Sequence, residues 1–202
     1  MTNRLGILLS GRGSNFEAVA RSIRSGTLDA EIAVVVSNRE SAPGLALARS
    51  LGLNAVSLPS KGIEREAFDA QLVDILQRNR VDLVCLAGYM RLLSPVFIRA
   101  FPRRILNIHP SLLPAFPGLD AQHQAFEYGV KLSGCTVHFV DEQLDNGPIV
   151  RQAAVPVLPG DTAESLSARI LEQEHRVYSE AIRIVLSGKY RIEGRRVVIE
   201  EG

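Results

Sequence analysis

Short apolar runs alternate along the chain with longer segments in which apolar residues recur at helical spacing. The apolar runs predict strands at Leu5–Leu9, Glu31–Val36, Asn54–Leu58, Asp82–Leu86 and Ile105–Ile108. The segments between them predict helices at Ser14–Ser25, Ala42–Leu51, Glu64–Arg78 and Pro95–Phe101. Strands that alternate with helices predict an α/β protein, in which helices cover both faces of a parallel sheet.

The rest of the chain mixes the two patterns. It predicts a helix at Ala121–Tyr128, strands at Gly134–Val140 and Pro148–Val157, a long helix at Ala163–Leu186, and a possible hairpin within Tyr190–Glu200. No internal repeat, low-complexity segment or linker interrupts the sequence. We therefore predict one domain over residues 1–188, followed by a tail over residues 189–202. A small hairpin and a disordered end both fit this tail.

Composition and charge narrow the classes of function. The 202 residues are 46% hydrophobic and carry a net charge of +1, which favours a folded core and argues against a nucleic-acid-binding surface. Cys85 and Cys135 lie inside apolar runs and are interpreted as core residues in a reducing compartment. No apolar run reaches membrane-spanning length and no secretion signal opens the chain, so we expect a soluble, cytoplasmic protein.

The turn Ser10–Asn15, between the first strand and the first helix, is a candidate anion site. Its glycines let backbone N–H groups approach a phosphate, and the helix N-terminus adds a positive field. Ser14, with Glu17 three residues later, predicts a capping box. The dinucleotide pattern fails, because Phe16 takes its third glycine position and residues 37–39 supply no acid. The turn predicts a single-phosphate site or, alternatively, a tight turn without a ligand.

Asn107 and His109 lie two residues apart at the end of a strand, so their side chains point to the same face. An amide donor beside an imidazole that can be a cation suits a negatively charged oxygen formed during a reaction. Pro110, Pro114 and Pro117 stiffen the loop that follows. The alternative is a strand end whose polar side chains bond only to nearby backbone.

The loop Asp141–Gly147 is typical of a hairpin connection, because acid-Asn-Gly between two strands favours a turn. As a functional alternative, Asp145 would lie against His109, where a carboxylate favours the protonated imidazole. His138 is a candidate third polar member of this group. The alternative for His138 is a half-buried histidine whose hydrogen bonds are satisfied by the fold.

Two further chemistries lack support in the sequence. The histidines form neither a helical H-x-x-x-H pair nor a cluster with cysteine, so we predict no metal site. The chain has no G-x-S-x-G elbow, which argues against a serine hydrolase. Arg65, Arg91 and Glu174 are interpreted by default as exposed charges.

Four motifs, taken in order, carry a resemblance to a known family: Ser10–Asn15, Leu86–Pro95, Asn107–Pro114 and Asp145–Pro148. Through them the chain resembles the phosphoribosylglycinamide formyltransferases, folate-dependent enzymes of purine synthesis, over about residues 4–188. The Asn-Ile-His-Pro-Ser-Leu-Leu-Pro run is typical of the folate formyltransferase superfamily. The resemblance implies a single-domain, Rossmann-like fold and formyl transfer from 10-formyltetrahydrofolate to the amine of glycinamide ribonucleotide, without a metal.

The resemblance also implies roles for individual residues. Asn107 and protonated His109 would stabilise the oxyanion of a tetrahedral intermediate, with His138 in support. Asp145 would keep His109 cationic and help to relay a proton through water. The residues implied for the ribonucleotide are Gly13, Ser14, Asn15, Gln173 and Glu174. Those implied for the folate are Arg65, Met90, Arg91, Leu92, Leu93, Asn107, Asp141 and Asp145.

Three positions depart from the commonest pattern of this family. Asn146 stands where glycine is frequent, Asp120 where histidine is often found, and His123 where arginine is often found. Asparagine tolerates a left-handed backbone better than most residues, so we expect the loop around Asn146 to keep its course. The resemblance further implies a cis peptide bond between Leu113 and Pro114.

Other functions remain as alternatives. The formyltransferase acting on initiator methionyl-tRNA usually adds a basic C-terminal domain, whereas only a short tail follows Gly188 here. A hydrolase of formyltetrahydrofolate carries an extra N-terminal domain, for which the early first strand leaves no room. If the chain were a non-catalytic nucleotide-binding module, the occurrence of Asn107, His109 and Asp145 at these positions would be a coincidence. We expect small-molecule partners and no nucleic acid or membrane; a monomer and a homodimer both fit.

Overall fold

The computed structural model describes residues 2–200, which divide into two compact units. The first unit ends at Leu106 and the second begins at Asn107. The single domain predicted over residues 1–188 stays a prediction. Within residues 2–200, no helix combines the length and the apolar character that a membrane span requires.

The first unit contains a parallel sheet whose strands are joined by helices. Its strands are β1 (Arg4–Leu9), β2 (Glu31–Ser37), β3 (Ala55–Ser57) and β4 (Leu83–Leu86). Its helices are α1 (Ser14–Arg24), α2 (Pro43–Ser50), α3 (Arg65–Arg78) and α4 (Pro95–Ala100). The strands lie in the order β3-β2-β1-β4 and all pair in parallel. Every residue of β4 is buried, as expected of an apolar strand in a covered parallel sheet.

The second unit contains the remaining strands and two helices. The strands are β5 (Ile105–His109), which begins just before the division, β6 (Leu132–Phe139), β7 (Ile149–Pro156), β8 (Tyr190–Glu193) and β9 (Arg196–Ile199). The helices are α5 (Ala121–Tyr128) and α6 (Ala163–Ser187). The strand order is β5-β6-β7-β9-β8. Strand β6 pairs antiparallel with β7, β7 parallel with β9, and β8 antiparallel with β9, so residues 190–199 form a hairpin.

The predicted capping box at the start of α1 is wrong. The residue before the helix is Gly13, with φ of 78°, and no side chain caps this helix end. Gly13 takes this conformation where the chain approaches α2, and a Cβ added to it would lie 2.9 Å from the Cα of Gly44. A capping box does form at α6, between Thr162 and Ser165.

Two smaller expectations have definite outcomes. Cys85 and Cys135 are both buried and carry no disulfide, as their apolar surroundings predicted. The peptide bond between Leu113 and Pro114 is cis, as the resemblance implied.

Candidate active site

Four polar side chains from three parts of the second unit lie together. Asn107 and His109 come from β5, and His138 comes from the end of β6. Asp145 comes from the loop between β6 and β7 and brings its carboxylate 3.4 Å from Nδ1 of His109 and 3.7 Å from Nε2 of His138. The contact between Asp145 and His109 that we hypothesised from sequence is therefore present.

His138 orients the amide of Asn107. Its Nδ1 lies 2.8 Å from the carbonyl oxygen of Phe139, so this nitrogen carries a proton and donates. In the neutral ring the other nitrogen, Nε2, then accepts from Nδ2 of Asn107 at 3.1 Å. A register shift in the β6–β7 pairing falls between Val137 and His138. An irregularity of this kind bends the strand locally and changes the direction of the side chains beside it.

Both ring nitrogens of His109 face hydrogen-bond acceptors. Nε2 lies 2.8 Å from the carbonyl oxygen of Phe116, and Nδ1 faces the Asp145 carboxylate. A neutral imidazole carries one N–H and satisfies one of these acceptors, whereas the imidazolium satisfies both. The surroundings of His109, which is 5% exposed, thus offer an acceptor to each of its two ring nitrogens.

Asp145 is nearly buried and remains ionised. Burial raises the pKa of Asp145, but the adjacent His138, the hydrogen bond from the Gly118 N–H and the charge of His109 together hold it below its usual value. The Gly118 bond measures 2.8 Å. The residue of this loop with a left-handed backbone is Asp145, with φ of 48°, rather than Asn146.

A buried hydroxyl that the sequence analysis missed supports the loop after His109. Thr136 Oγ1 donates to the carbonyl of Ser111 at 2.7 Å and accepts from the N–H of Leu113 at 3.0 Å. Gln152 Nε2 donates to the same hydroxyl and to the Leu113 carbonyl. A threonine inside an apolar strand was an available signal, but its partners depend on tertiary packing.

The glycine turn of the first unit is tied to the segment after β4. The Oγ of Ser10 accepts from the N–H of Met90 at 2.8 Å and donates to the side chain of Asn38 at 2.6 Å. Gly13 precedes α1 and has no side chain that would cap its first N–H groups, which keeps this helix start suited to an anion. Ser10 belongs to the turn predicted as an anion site, whereas Asn38 was not among the predicted site residues.

Residues 90–93, predicted for the folate, combine exposed apolar side chains with an arginine that is bound to the rest of the unit. Met90 and Leu92 are each 57% exposed. Arg91 is half-buried rather than exposed, because it donates to the carbonyl of Ile63 at 3.2 Å and lies over the ring of Phe68. Arg65, at the start of α3, is exposed.

The two ribonucleotide residues predicted on α6 differ in their surroundings. Glu174 is 6% exposed, so its default interpretation as an exposed charge is wrong. Burial, followed by the charge of Glu174, raises the pKa of Cys135 to about 12. The side-chain oxygen of Gln173 accepts hydrogen bonds from the guanidinium of Arg176.

No group of three or more His, Cys, Asp or Glu side chains within residues 2–200 is arranged to hold a metal ion. The groups that the cluster offers are the amide of Asn107, two imidazoles and one carboxylate. Together they can bind an oxyanion and move a proton, which are the two needs of acyl transfer to an amine.

Comparison with known proteins gives concordant results. A model of the formyl transferase family matches residues 3–182. The crystal structure of glycinamide ribonucleotide transformylase 1 from Symbiobacterium toebii superposes with a TM-score of 0.96 at 55% identity, covering 99% of this chain and 95% of that one. Phosphoribosylglycinamide formyltransferase from Escherichia coli (strain K12) is 40% identical over 92% of this chain and 88% of its own length.

The chain also matches part of a larger protein. It is 46% identical over 93% of its residues to the trifunctional purine biosynthetic protein adenosine-3 of Drosophila pseudoobscura pseudoobscura, and spans 14% of that protein's length. These matches confirm the α/β class and the folate formyltransferase motifs predicted from sequence. The chain belongs to the formyl transferase family.

Proposed function

We propose that this chain transfers the formyl group of 10-formyltetrahydrofolate to the amine of N1-(5-phosphoribosyl)glycinamide in de novo purine biosynthesis. The observation that carries the proposal is the convergence of Asn107, His109 and Asp145, with His138 beside them. The names of the bacterial relatives support the choice of substrates.

Asn107 stabilises the oxyanion through the N–H that His138 leaves available. When the amine attacks the formyl carbon, a C–N bond forms and the carbonyl oxygen takes the negative charge. One Nδ2 hydrogen of Asn107 is held by His138, which fixes the amide plane and leaves the second hydrogen for that oxygen. A preorganised donor of this kind contributes about 3 kcal/mol to lowering the barrier.

His109 supplies a second donor once the formyl oxygen replaces the Phe116 carbonyl. Ser111 Oγ donates to the same carbonyl at 3.2 Å, and to that of Ala115 at 2.5 Å, so this loop has its own support when His109 turns to the substrate. Asp145 keeps His109 cationic and passes the amine proton, through water, to the folate nitrogen that leaves as the C–N bond of the donor breaks.

Further residues of the chain bind the two substrates. Gly13, Ser14 and Asn15 hold the ribonucleotide phosphate and sugar at the start of α1, while Gln173 and Glu174 meet the glycinamide end. Arg65 meets the folate glutamate, and Met90–Leu93 with Asp141 and Asp145 hold the pterin. Holding both reactants replaces a collision with an oriented encounter and lowers the entropic part of the barrier.

We place the reaction in the cytoplasm, a reducing compartment that suits two buried thiols. The protein acts as a monomer or as a homodimer. Its partners are the two small-molecule substrates, and neither a nucleic acid nor a membrane takes part.

The test is loss of the formyl group from 10-formyltetrahydrofolate, followed by absorbance with and without the ribonucleotide. We expect turnover that requires the ribonucleotide and falls about a hundredfold in Asp145→Asn, because proton transfer loses its acceptor. Asp74→Asn, on an exposed face of α3, is the matched control and should behave as wild type. Turnover without the ribonucleotide indicates a hydrolase instead, and no turnover from folded protein contradicts the proposal.

A further inference from the structure

The C-terminal hairpin reaches the loop that carries Asp145. Arg195, between β8 and β9, donates from Nη1 to the side-chain oxygen of Asn146 at 3.1 Å and from Nη2 to the backbone carbonyl of Asn146. Asn146 directly follows Asp145, so two donors of one planar guanidinium hold the residue next to the catalytic carboxylate. None of the roles assigned above uses the hairpin.

The loop 141–147 is held at both of its ends. The residues between the two ends need other contacts to hold them in place. At its far end, a Cβ on Gly147 would lie 1.8 Å from the carbonyl oxygen of Phe139, so the backbone there is pressed against β6. At its near end, the Asp141 side chain accepts from the N–H of Gln143 at 2.9 Å. Asp145 lies between, in a left-handed conformation that a residue with a side chain seldom adopts.

The hairpin is itself firmly attached beside this loop. Strand β9 pairs with β7 through Arg196 and Ile149, two residues beyond Gly147. The rings of Tyr190 and Phe139 stack with centroids 5.8 Å apart. Arg195 therefore extends from a support that is anchored on both strands that flank the loop.

We propose that Arg195 is a positioning residue, which acts through Asn146 to keep the Asp145 carboxylate against His109. This inference rests on the proposed function, since it assigns the hairpin a part in the same reaction. Fixing both the side chain and the carbonyl of Asn146 limits rotation of the backbone that carries Asp145. The side-chain half of the clamp exists because Asn146 stands where glycine is frequent in the family.

The test combines kinetics with hydrogen–deuterium exchange. We expect Arg195→Ala to lower kcat about three- to tenfold, as loss of an exposed, charge-assisted pair of hydrogen bonds implies. The KM for the ribonucleotide should stay unchanged, and Arg195→Lys should restore part of the rate. Arg191→Ala, on the same hairpin but paired with Glu193, is the matched control and should keep the wild-type rate.

A second variant separates positioning from general stabilisation. In an Asp145→Asn background, Arg195→Ala should cause no further loss of kcat, because the group that it positions is already gone. An additional loss of the same three- to tenfold size would overturn the inference.

Exchange supplies a readout that does not need activity. In Arg195→Ala, amides of residues 141–147 and of Gly118 should exchange faster, while those of β8 and β9 keep wild-type protection. Faster exchange across the hairpin itself, or no change in the loop, contradicts the positioning role. Failure of ribonucleotide-dependent turnover in the wild type would contradict the proposed function instead. The exchange result would then test only whether Arg195 holds the loop 141–147.

Discussion

Single hydrogen-bond partners decide which groups at the Asn107–His109–Asp145 cluster carry protons. The Phe139 carbonyl makes Nδ1 of His138 a donor, and this leaves Nε2 to orient Asn107. The Phe116 carbonyl and the Asp145 carboxylate offer an acceptor to each ring nitrogen of His109. At the scale of residues, the hydrogen bonding of the two imidazoles depends on backbone carbonyls. A motif of side chains in the sequence does not show where these carbonyls lie.

The ionised Asp145 contributes to stability as well as to catalysis. Its pKa in the folded protein lies below the ordinary 3.8, so its contribution is complete above that value and is lost as the pH falls through the lowered pKa. We expect the difference in free energy of unfolding between wild type and Asp145→Asn to shrink as the pH is lowered from about 5 to about 2, because the Asp145 carboxylate becomes protonated in that range.

Urea unfolding at several pH values measures this difference. A difference that stays constant over the whole range, or grows as the pH falls, would contradict this prediction. It would mean that the groups around Asp145 do not stabilise its ionised carboxylate.

At the scale of elements, a buried carboxylate on α3 holds the segment that leads into α4. Asp69 is fully buried, and its Oδ2 accepts from the N–H of Ser94, the residue preceding α4, at 2.6 Å. Burial, followed by the charge of Asp69, raises the pKa of Tyr89. Asp69 thus links α3 to the residue that directly follows Met90–Leu93, the segment proposed to hold the pterin.

Removing this carboxylate should cost stability. We expect Asp69→Ala to lower the free energy of unfolding by about 2–4 kcal/mol, because the buried N–H of Ser94 loses its acceptor. Asp69→Asn retains an acceptor oxygen and should cost less. Denaturant unfolding checks both values.

Asp74→Ala is the control on the same helix. Asp74 is exposed and pairs with Arg78 at 2.9 Å, so its loss should change stability by no more than about 0.5 kcal/mol. Equal losses for Asp69→Ala and Asp74→Ala would show that the bond to Ser94 contributes nothing.

At the scale of the whole molecule, each compact unit contains one buried thiol. Cys85 lies in β4 of the first unit and Cys135 in β6 of the second, and both side chains are wholly buried. The two thiols can therefore report separately on the opening of each unit, since a thiol reagent reaches them only when the surrounding structure opens.

The prediction of a single domain can be tested with these thiols. We expect Cys85 and Cys135 to become reactive at the same urea concentration, because no linker separates the two units in sequence. Cys85→Ala and Cys135→Ala each leave one thiol, whose modification by a chromogenic disulfide is followed across the unfolding transition. Two separate midpoints, each coinciding with a partial loss of circular dichroism, would mean two domains that unfold independently.

The sequence by itself determined the elements, the fold class and the family. Local periodicity predicts the strands and helices because each element must bury one apolar face, and the Asn107–Pro114 run carries the family motif within one short segment. It also predicted that Asp145 would lie against His109, although it left a plain hairpin loop as the alternative.

Only the tertiary structure decided what depends on partners distant in sequence. Gly13, rather than Ser14, precedes α1 because Gly44 of another element approaches it. Thr136, Asp69 and Arg195 became recognisable only when their bonds to Ser111, Ser94 and Asn146 were seen. The sequence specifies whether a side chain is apolar or polar. Strand pairing, helix packing and the path of each loop determine which group becomes its hydrogen-bond partner.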